Sequence, residues 1–274
     1  MITVTDREGV ARFVEAMAVA SQPMYRVTCP RSSPAGSPIA EPGSTGRRSR
    51  VDRDSLCSTA VEEDGTMTQN YHEGQRELQD RFDTRRLADR LDEATADHIG
   101  DAHRAFIESR DMFFLATADA DGVPQCSYKG GEPGFVRVVD TRTIAFPVYD
   151  GNGMFLSMGN VGVNPNVGIL FIDLEGGSRL RFNGVAHSDP HDPLLATYPG
   201  AQFVVRVRGE AVFANCRRYV HHYQLVERSP FVPTASTEPP VPDWKLDPWF
   251  AGTLPEHDPA RDPARPIAPA TPQF

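Results

Sequence analysis

Ser127, Tyr128 and Lys129 place a hydroxyl, a phenol and an ammonium side by side on one short β-rich run. Such donors suit an anion, because charge-assisted hydrogen bonds to phosphate or carboxylate oxygens are stronger than neutral ones. Strand side chains alternate between faces, so Ser127 and Lys129 share one face and Tyr128 takes the other. The bland alternative for Lys129 is a solvent-facing rim charge. A second set begins at Asp150-Gly-Asn-Gly153, which reads as the opening of a helix starting near Met154. Free backbone N–H groups at a helix start can hold an anion, and glycines let it approach closely. Asn152, Ser157 and Asn160 lie along the first two turns, within reach of the same ligand. Ordinary capping by Asn152 would explain that residue equally well.

Other chemistries find little support. Gly151-Asn-Gly153 lacks the third glycine and the strand-to-helix spacing of a dinucleotide fingerprint. His98 and His103 stand five apart, His187 and His191 flank a Ser-Asp-Pro turn, and His221-His222 is an adjacent pair. None of these matches a zinc spacing. No GxSxG elbow or paired-carboxylate pattern occurs, so hydrolysis has no visible site. Cys216 has Arg217 and Arg218 beside it to lower its pKa, but no second cysteine at useful spacing, and it reads as structural.

The elements that must position these residues are short strands joined by tight turns. Residues 113–118 form a half-buried run, and Asp119-Ala-Asp-Gly122 supplies a hairpin turn in which Gly122 takes φ > 0 without strain. Strands are expected at 125–129, 135–139 and 143–147, a helix at 152–164, and a buried strand at 167–172. Residues 178–186 alternate, with Leu180 and Phe182 opposite Arg179, Arg181 and Asn183. Residues 202–213 place Phe203, Val205 and Val207 opposite Arg206, Arg208 and Glu210, with a short helical connection at 192–198 before them. Upstream, Leu78, Phe82, Leu87 and Leu91 line one face of a helix at 75–94. A second helix at 97–109 turns Ile99, Ala102, Phe106 and Ile107 inward, and both helices are expected to cover a barrel end.

The 274 residues include 24 Pro and 22 Gly, unevenly spread, which points to one folded domain with loose ends. The predicted divisions are 1–66 as a disordered or spurious extension, 67–110 as a helical segment, 111–230 as the barrel and 231–274 as a Pro-rich tail. Met67 reads as the natural start, the alternative being a genuine disordered extension before it. Trp244 and Trp249 are the tail's large anchors, ahead of a disordered end at 258–274. A formal net charge of −9 gives no electrostatic support for nucleic acid or anionic membranes. No apolar run reaches the ~20 residues needed to span a bilayer. Arg12 and Glu15 break up the one apolar N-terminal stretch, which argues against a signal peptide. Cys29, Cys57, Cys126 and Cys216 are scattered without a CxxC pair, as expected of reduced thiols in the cytoplasm.

The opening FFLATADADGVPQ, the strand CSYKG, the helix GMFLSMGN and the strand NPNVGILFID together resemble the FMN-binding split barrel of the pyridoxamine 5′-phosphate oxidase-like family. The likeness spans roughly residues 71–212, with fainter echoes to about Trp244. It implies a mainly β fold with flanking helices, a split β-barrel of six to seven antiparallel strands. It also implies a homodimer with FMN at the interface and redox chemistry on a small molecule reached near residues 130–134. Ser127, Tyr128 and Lys129 then fall on the cofactor strand, and Asn152, Met154, Ser157 and Asn160 around the cofactor helix. Arg179 and Arg181 fall on the strand that approaches the flavin from the partner subunit. The chain departs from the true oxidases at Leu156 and Ser157, where they carry an Arg-Lys pair, and at Gln125-Cys-Ser-Tyr-Lys129, where they carry an Arg-rich strand. Two alternatives accompany the FMN oxidoreductase. One is a reductase using the deazaflavin F420. The other is a non-enzymatic flavin or haem binder, with His187 or His222 as the axial ligand.

Overall fold

A computed structural model describes residues 71–268, all within the unit Thr59–Phe274. The expectations for residues 1–66 and for Met67 lie outside the described residues. The described chain is built on seven antiparallel strands: β1 (Met112–Ala118), β2 (Pro124–Gly130), β3 (Arg137–Val138), β4 (Thr143–Tyr149), β5 (Asn166–Ile172), β6 (Arg179–Asp189) and β7 (Ala201–Asn215). They pair in the order β2-β1-β5-β6-β7-β4-β3. Four α-helices accompany them: α1 (Glu73–Arg81), α2 (Arg85–Asp92), α3 (Asp101–Glu108) and α4 (Leu156–Val163).

The alternation read in the sequence explains how this sheet curls. Phe113 and Leu115 of β1, Ile169 and Phe171 of β5, Leu180 and Phe182 of β6, and Val205 and Val207 of β7 all bury on one face. Phe113 then meets Phe146 of β4 edge-to-face at 5.0 Å, although three strands separate β1 from β4 in the sheet. The two halves of the sheet have therefore folded onto each other around one aromatic core, as a barrel left split between β2 and the β3–β4 end. Phe135 stacks on Phe113 at 5.7 Å from across the split.

That stacking shortens the third strand. Residues 135–139 were expected to be extended, yet only Arg137–Val138 pair. Phe135 and Val136 are both buried, which a period-2 strand cannot achieve for neighbours on one face. Gly131 allows the inward turn, because a Cβ there would lie 2.4 Å from the Phe135 ring.

In β7 the register slips opposite Asn183/Gly184, so β7 contributes one extra residue. The bulge brings the Arg208 carbonyl against Gly184, where a Cβ would sit 2.1 Å from that oxygen. Gly184→Ala should cost roughly 2–4 kcal/mol of stability, read as a lower urea midpoint at unchanged slope.

The helical segment departs from expectation. The single helix read over 75–94 breaks into α1 and α2 at Asp83, whose φ is +52. Leu78, Phe82, Leu87 and Leu91, read as an inward face, are exposed, because the break turns the two halves onto separate axes. Ile99 and Ile107 are buried as expected, whereas Ala102, in the first turn of α3, is exposed. Ala96 ties this segment to β7 through reciprocal backbone bonds with Val212 at 2.9 and 2.8 Å.

The C-terminal segment is ordered further than its composition suggested. Residues 258–268, expected to be disordered, fold back so that Val241 exchanges backbone bonds with Pro266 and Ala268, each 2.8 Å. Lys245 is buried within this loop and donates to Asp258 at 2.8 Å and to Asp150 of the barrel at 2.6 Å. Trp244 is half-buried and anchors the loop with Phe250, while Trp249 is 80% exposed and is no anchor.

Candidate functional site

The register pairs Phe113 with Lys129 and Leu115 with Ser127, which stands Lys129 and Ser127 on the core-facing side of β2. Because β2 is an edge strand, this side opens into the split instead of closing onto another strand. The split holds a cleft of about 370 Å³, lined among others by Lys129, Phe135, Val148, Tyr149 and Arg228. Lys129 is half-buried there, and burial pushes its pKa below the ordinary lysine value. Among the described residues no carboxylate or other acceptor meets its ammonium. A cation removed from water and left without a partner is costly unless something anionic joins it.

Tyr128 points the opposite way, as alternation requires. Its ring packs edge-on against Phe114 at 6.1 Å and reaches over the strand edge at Gly130 to flank the cleft. Burial, helped by the Asp111 charge, raises its phenol pKa. Tyr149 lies on the far wall, its pKa also raised by burial and by Glu132.

Next to the cleft, β1, β2 and α4 are laced together by side chains. Ser127 Oγ lies 3.0 Å from Ser157 Oγ, and Asn160 Nδ2 donates to Thr117 Oγ1 at 3.2 Å. Two facing hydroxyls satisfy one acceptor and leave one O–H free to donate. Ser127, Ser157 and Asn160 are thus gathered as the sequence suggested. The helix itself starts four residues later than expected, at Leu156, because Gly153 and Phe155 adopt φ of +74 and +49. Asn152 consequently does not lie on the helix. Its side chain accepts from Met154 N at 3.1 Å in the preceding turn, and Met154 is exposed ahead of the helix. No side chain caps α4.

Arg179 and Arg181 lie on the other side of the sheet. Leu180 and Phe182 take the buried positions of β6, which turns Arg181 outward over the Phe213 ring at 6.0 Å. Arg179 donates to the Cys216 carbonyl. A single chain therefore does not bring these arginines together with Lys129. Cys216 is exposed, and the Arg218 N–H, with the Arg218 and Arg179 charges, draws its thiol pKa down. His187 and His222 are both exposed.

Two contributors escaped the sequence reading. The segment after β7 runs back past β5, with Tyr223 N donating to the Leu174 carbonyl at 3.0 Å and Arg228 lying 3.7 Å from Asp111. It delivers Arg228 and Phe231 to the cleft mouth. The second is the Asp150–Lys245–Asp258 cluster, which fixes the loop after β4 that forms the cleft's far wall. Neither has a local pattern, since the partners in the first ion pair are 95 residues apart.

Comparison with known proteins places the barrel. The family profile named Pyridoxamine 5′-phosphate oxidase matches residues 99–230. HupZ of Group A Streptococcus is 19% identical, with 46% of this chain and 99% of that one covered at a TM-score of 0.36. HutZ of Vibrio cholerae, described as a heme storage protein, is 22% identical over 41% of this chain and 90% of its own, TM-score 0.32. A protein described as an F420 reductase is 19% identical over 43% and 97%, TM-score 0.30. No protein of curated function matches. The seven antiparallel strands that close on one aromatic core all lie inside the matched span, so it is the barrel, residues 99–230, that matches the pyridoxamine 5′-phosphate oxidase family.

Proposed function

We propose that the protein is an FMN-dependent oxidoreductase acting on a small molecule in the cytoplasm, as a homodimer with its cofactor sites at the interface. The observation that carries this reading is Lys129: a half-buried ammonium without a partner among the described residues, aimed into a small-molecule-sized cleft. Such a group fits a phosphate, and the Ser127–Ser157 hydroxyl pair beside it supplies a neutral donor. The position where relatives carry an Arg-Lys pair is here Leu156-Ser157, so within the chain the anion falls to Lys129, with Arg228 at the cleft mouth. Arg181, facing outward, is available to a second protomer and not to its own cleft, while Arg179 is tied to the Cys216 carbonyl.

When bound, FMN supplies hydride or electron transfer through its ring. The chain's part is to neutralise the phosphate at Lys129, to bracket the ligand between Tyr128 and Tyr149, and to limit water entry with the segment carrying Phe231. No helix among the described residues is long and apolar enough to cross a membrane.

The test is a titration of the full-length, ligand-free protein with FMN, followed by flavin fluorescence. Saturable one-to-one binding at about 10 µM or tighter is expected. Absence of binding at tenfold higher concentration, together with uptake of F420, would replace FMN by the deazaflavin. Binding of neither would remove the oxidoreductase reading.

A further inference from the structure

We infer that the C-terminal segment builds a second ligand site, a chamber for an uncharged, apolar, ring-bearing small molecule, against the wall of the Lys129 cleft. The chamber has a volume of about 770 Å³. Its lining combines Phe231, Pro233, Pro240, Pro242 and Trp244 with the barrel's own Tyr149–Asn152 loop. Residues 231–265 on this wall all lie beyond the span that matches the family, so most of the chamber is built from outside the matched barrel.

The charges around the chamber set its preference. Its two cationic residues are both engaged, Lys245 by Asp150 and Asp258 and Arg265 by Glu238. Asp243 adds a carboxylate that accepts from the Trp244 N–H at 2.9 Å. An anion entering here would meet carboxylates and no free cation, whereas the Lys129 cleft, though also lined by carboxylates, offers an unpaired ammonium. What remains for a ligand is proline and aromatic surface with the neutral polar groups of Asn152, Thr234, Ser236 and Thr237, which favours a molecule with little charge to desolvate.

The walls are also preorganised. Prolines have little backbone freedom to lose, and the Val241 bridge to Pro266 and Ala268 closes the loop at its base. Tyr149, Asp150, Gly151 and Phe231 line both cavities, so a molecule in the chamber lies one residue layer from the cleft. That the molecule held here would be the substrate rests on the FMN reading, whereas the chamber's preference for an uncharged ring does not.

The experiment uses the full chain and two probes with one aromatic frame, N-phenyl-1-naphthylamine and its sulfonated analogue anilinonaphthalene sulfonate. The protein's two tryptophans, Trp244 and Trp249, both lie in this segment, so energy transfer from tryptophan to probe reports binding in or next to it, and an Ala235→Phe variant distinguishes the chamber from the cleft. The neutral probe should bind saturably with sensitised emission that persists in Trp249→Phe, and at least about tenfold tighter than the sulfonate. Ala235→Phe, which adds bulk at the chamber wall, should weaken the neutral probe by a similar factor and leave FMN affinity unchanged. Equal binding of the two probes, or no sensitised emission, would overturn the chamber. Failure of the FMN titration with retention of neutral-probe binding would overturn only the flavin reading.

Discussion

Lys129→Ala should weaken FMN binding by about 10- to 100-fold, while making the ligand-free protein more stable. The first effect follows from losing charge-assisted hydrogen bonds to phosphate, worth roughly 1.5–3 kcal/mol. The second follows from the lysine's present position, half-buried without a partner. Its ammonium opposes folding until an anion arrives, and removing it should raise the melting temperature by a few degrees, about 1 kcal/mol in a domain of this size. The two effects carry opposite pH signatures. Because burial lowers its pKa, Lys129 loses its charge at a lower pH than an ordinary lysine. As pH rises through that depressed value, FMN affinity should fall, whereas the stability of the ligand-free protein relative to the unfolded chain should rise. In Lys129→Ala both of these slopes should flatten. Unchanged FMN affinity in the variant would remove this residue from the phosphate site. A loss of affinity accompanied by a loss of stability would mean that Lys129 supports the barrel and not the ligand.

The role given to Lys129 was within reach of the sequence because strand parity is a local property. Ser127-Tyr-Lys129 alternates within one short run, and the register with Phe113 and Leu115 turns that alternation into an inward Lys129 and an outward Tyr128. The same parity placed Arg179 and Arg181 opposite Leu180 and Phe182, which is where they stand. What alternation cannot report is which barrel strands end up face to face. The contact of Phe113 with Phe146 depends on closure of the whole sheet. Helix α4 failed at its boundary for a different reason. Asp150-Gly-Asn-Gly153 looks like a cap, but the left-handed backbone at Gly153 and Phe155 delays the helix and leaves Asn152 to brace a turn. The tail was the least legible part. Proline erases both hydrophobic periods, and its order comes from a buried lysine and two aspartates far apart in the chain, a tie that no local window contains.

That tie should make Lys245→Met the most disruptive single change in the C-terminal segment. The Lys245 and Asp258 side chains are 4% and 5% exposed, so the substitution strands a buried carboxylate. Breaking one half of a buried pair typically costs about 3–5 kcal/mol, more than a loop of this kind is expected to hold in reserve. The loop should detach while the barrel, whose aromatic core lies elsewhere, keeps its secondary structure. Tryptophan emission should shift to the red as half-buried Trp244 meets water, and amides around Val241 should lose hydrogen-exchange protection. Binding of the neutral naphthylamine should disappear, because half of its chamber is gone. The intact protein should show the same transition at the two ends of the pH scale. Burial alone would raise the Asp258 pKa, but hydrogen bonding to Lys245 and to the Ala260 N–H lowers it on balance. Its contribution is present above the unfolded carboxylate value and is lost as pH falls through the depressed one. Burial would likewise lower Lys245, but hydrogen bonds to Asp150 and Asp258 raise it above its ordinary 10.5. That contribution is complete below the ordinary value and is lost as pH rises through the raised one. Between these limits the loop stays closed, and restoring neutrality in Lys245→Met/Asp258→Leu should recover much of the lost stability by removing the stranded charge. If Lys245→Met alone left tryptophan emission and probe binding unchanged, the lysine would be a bystander and the loop would be held by Trp244, Phe250 and the Val241 bridge.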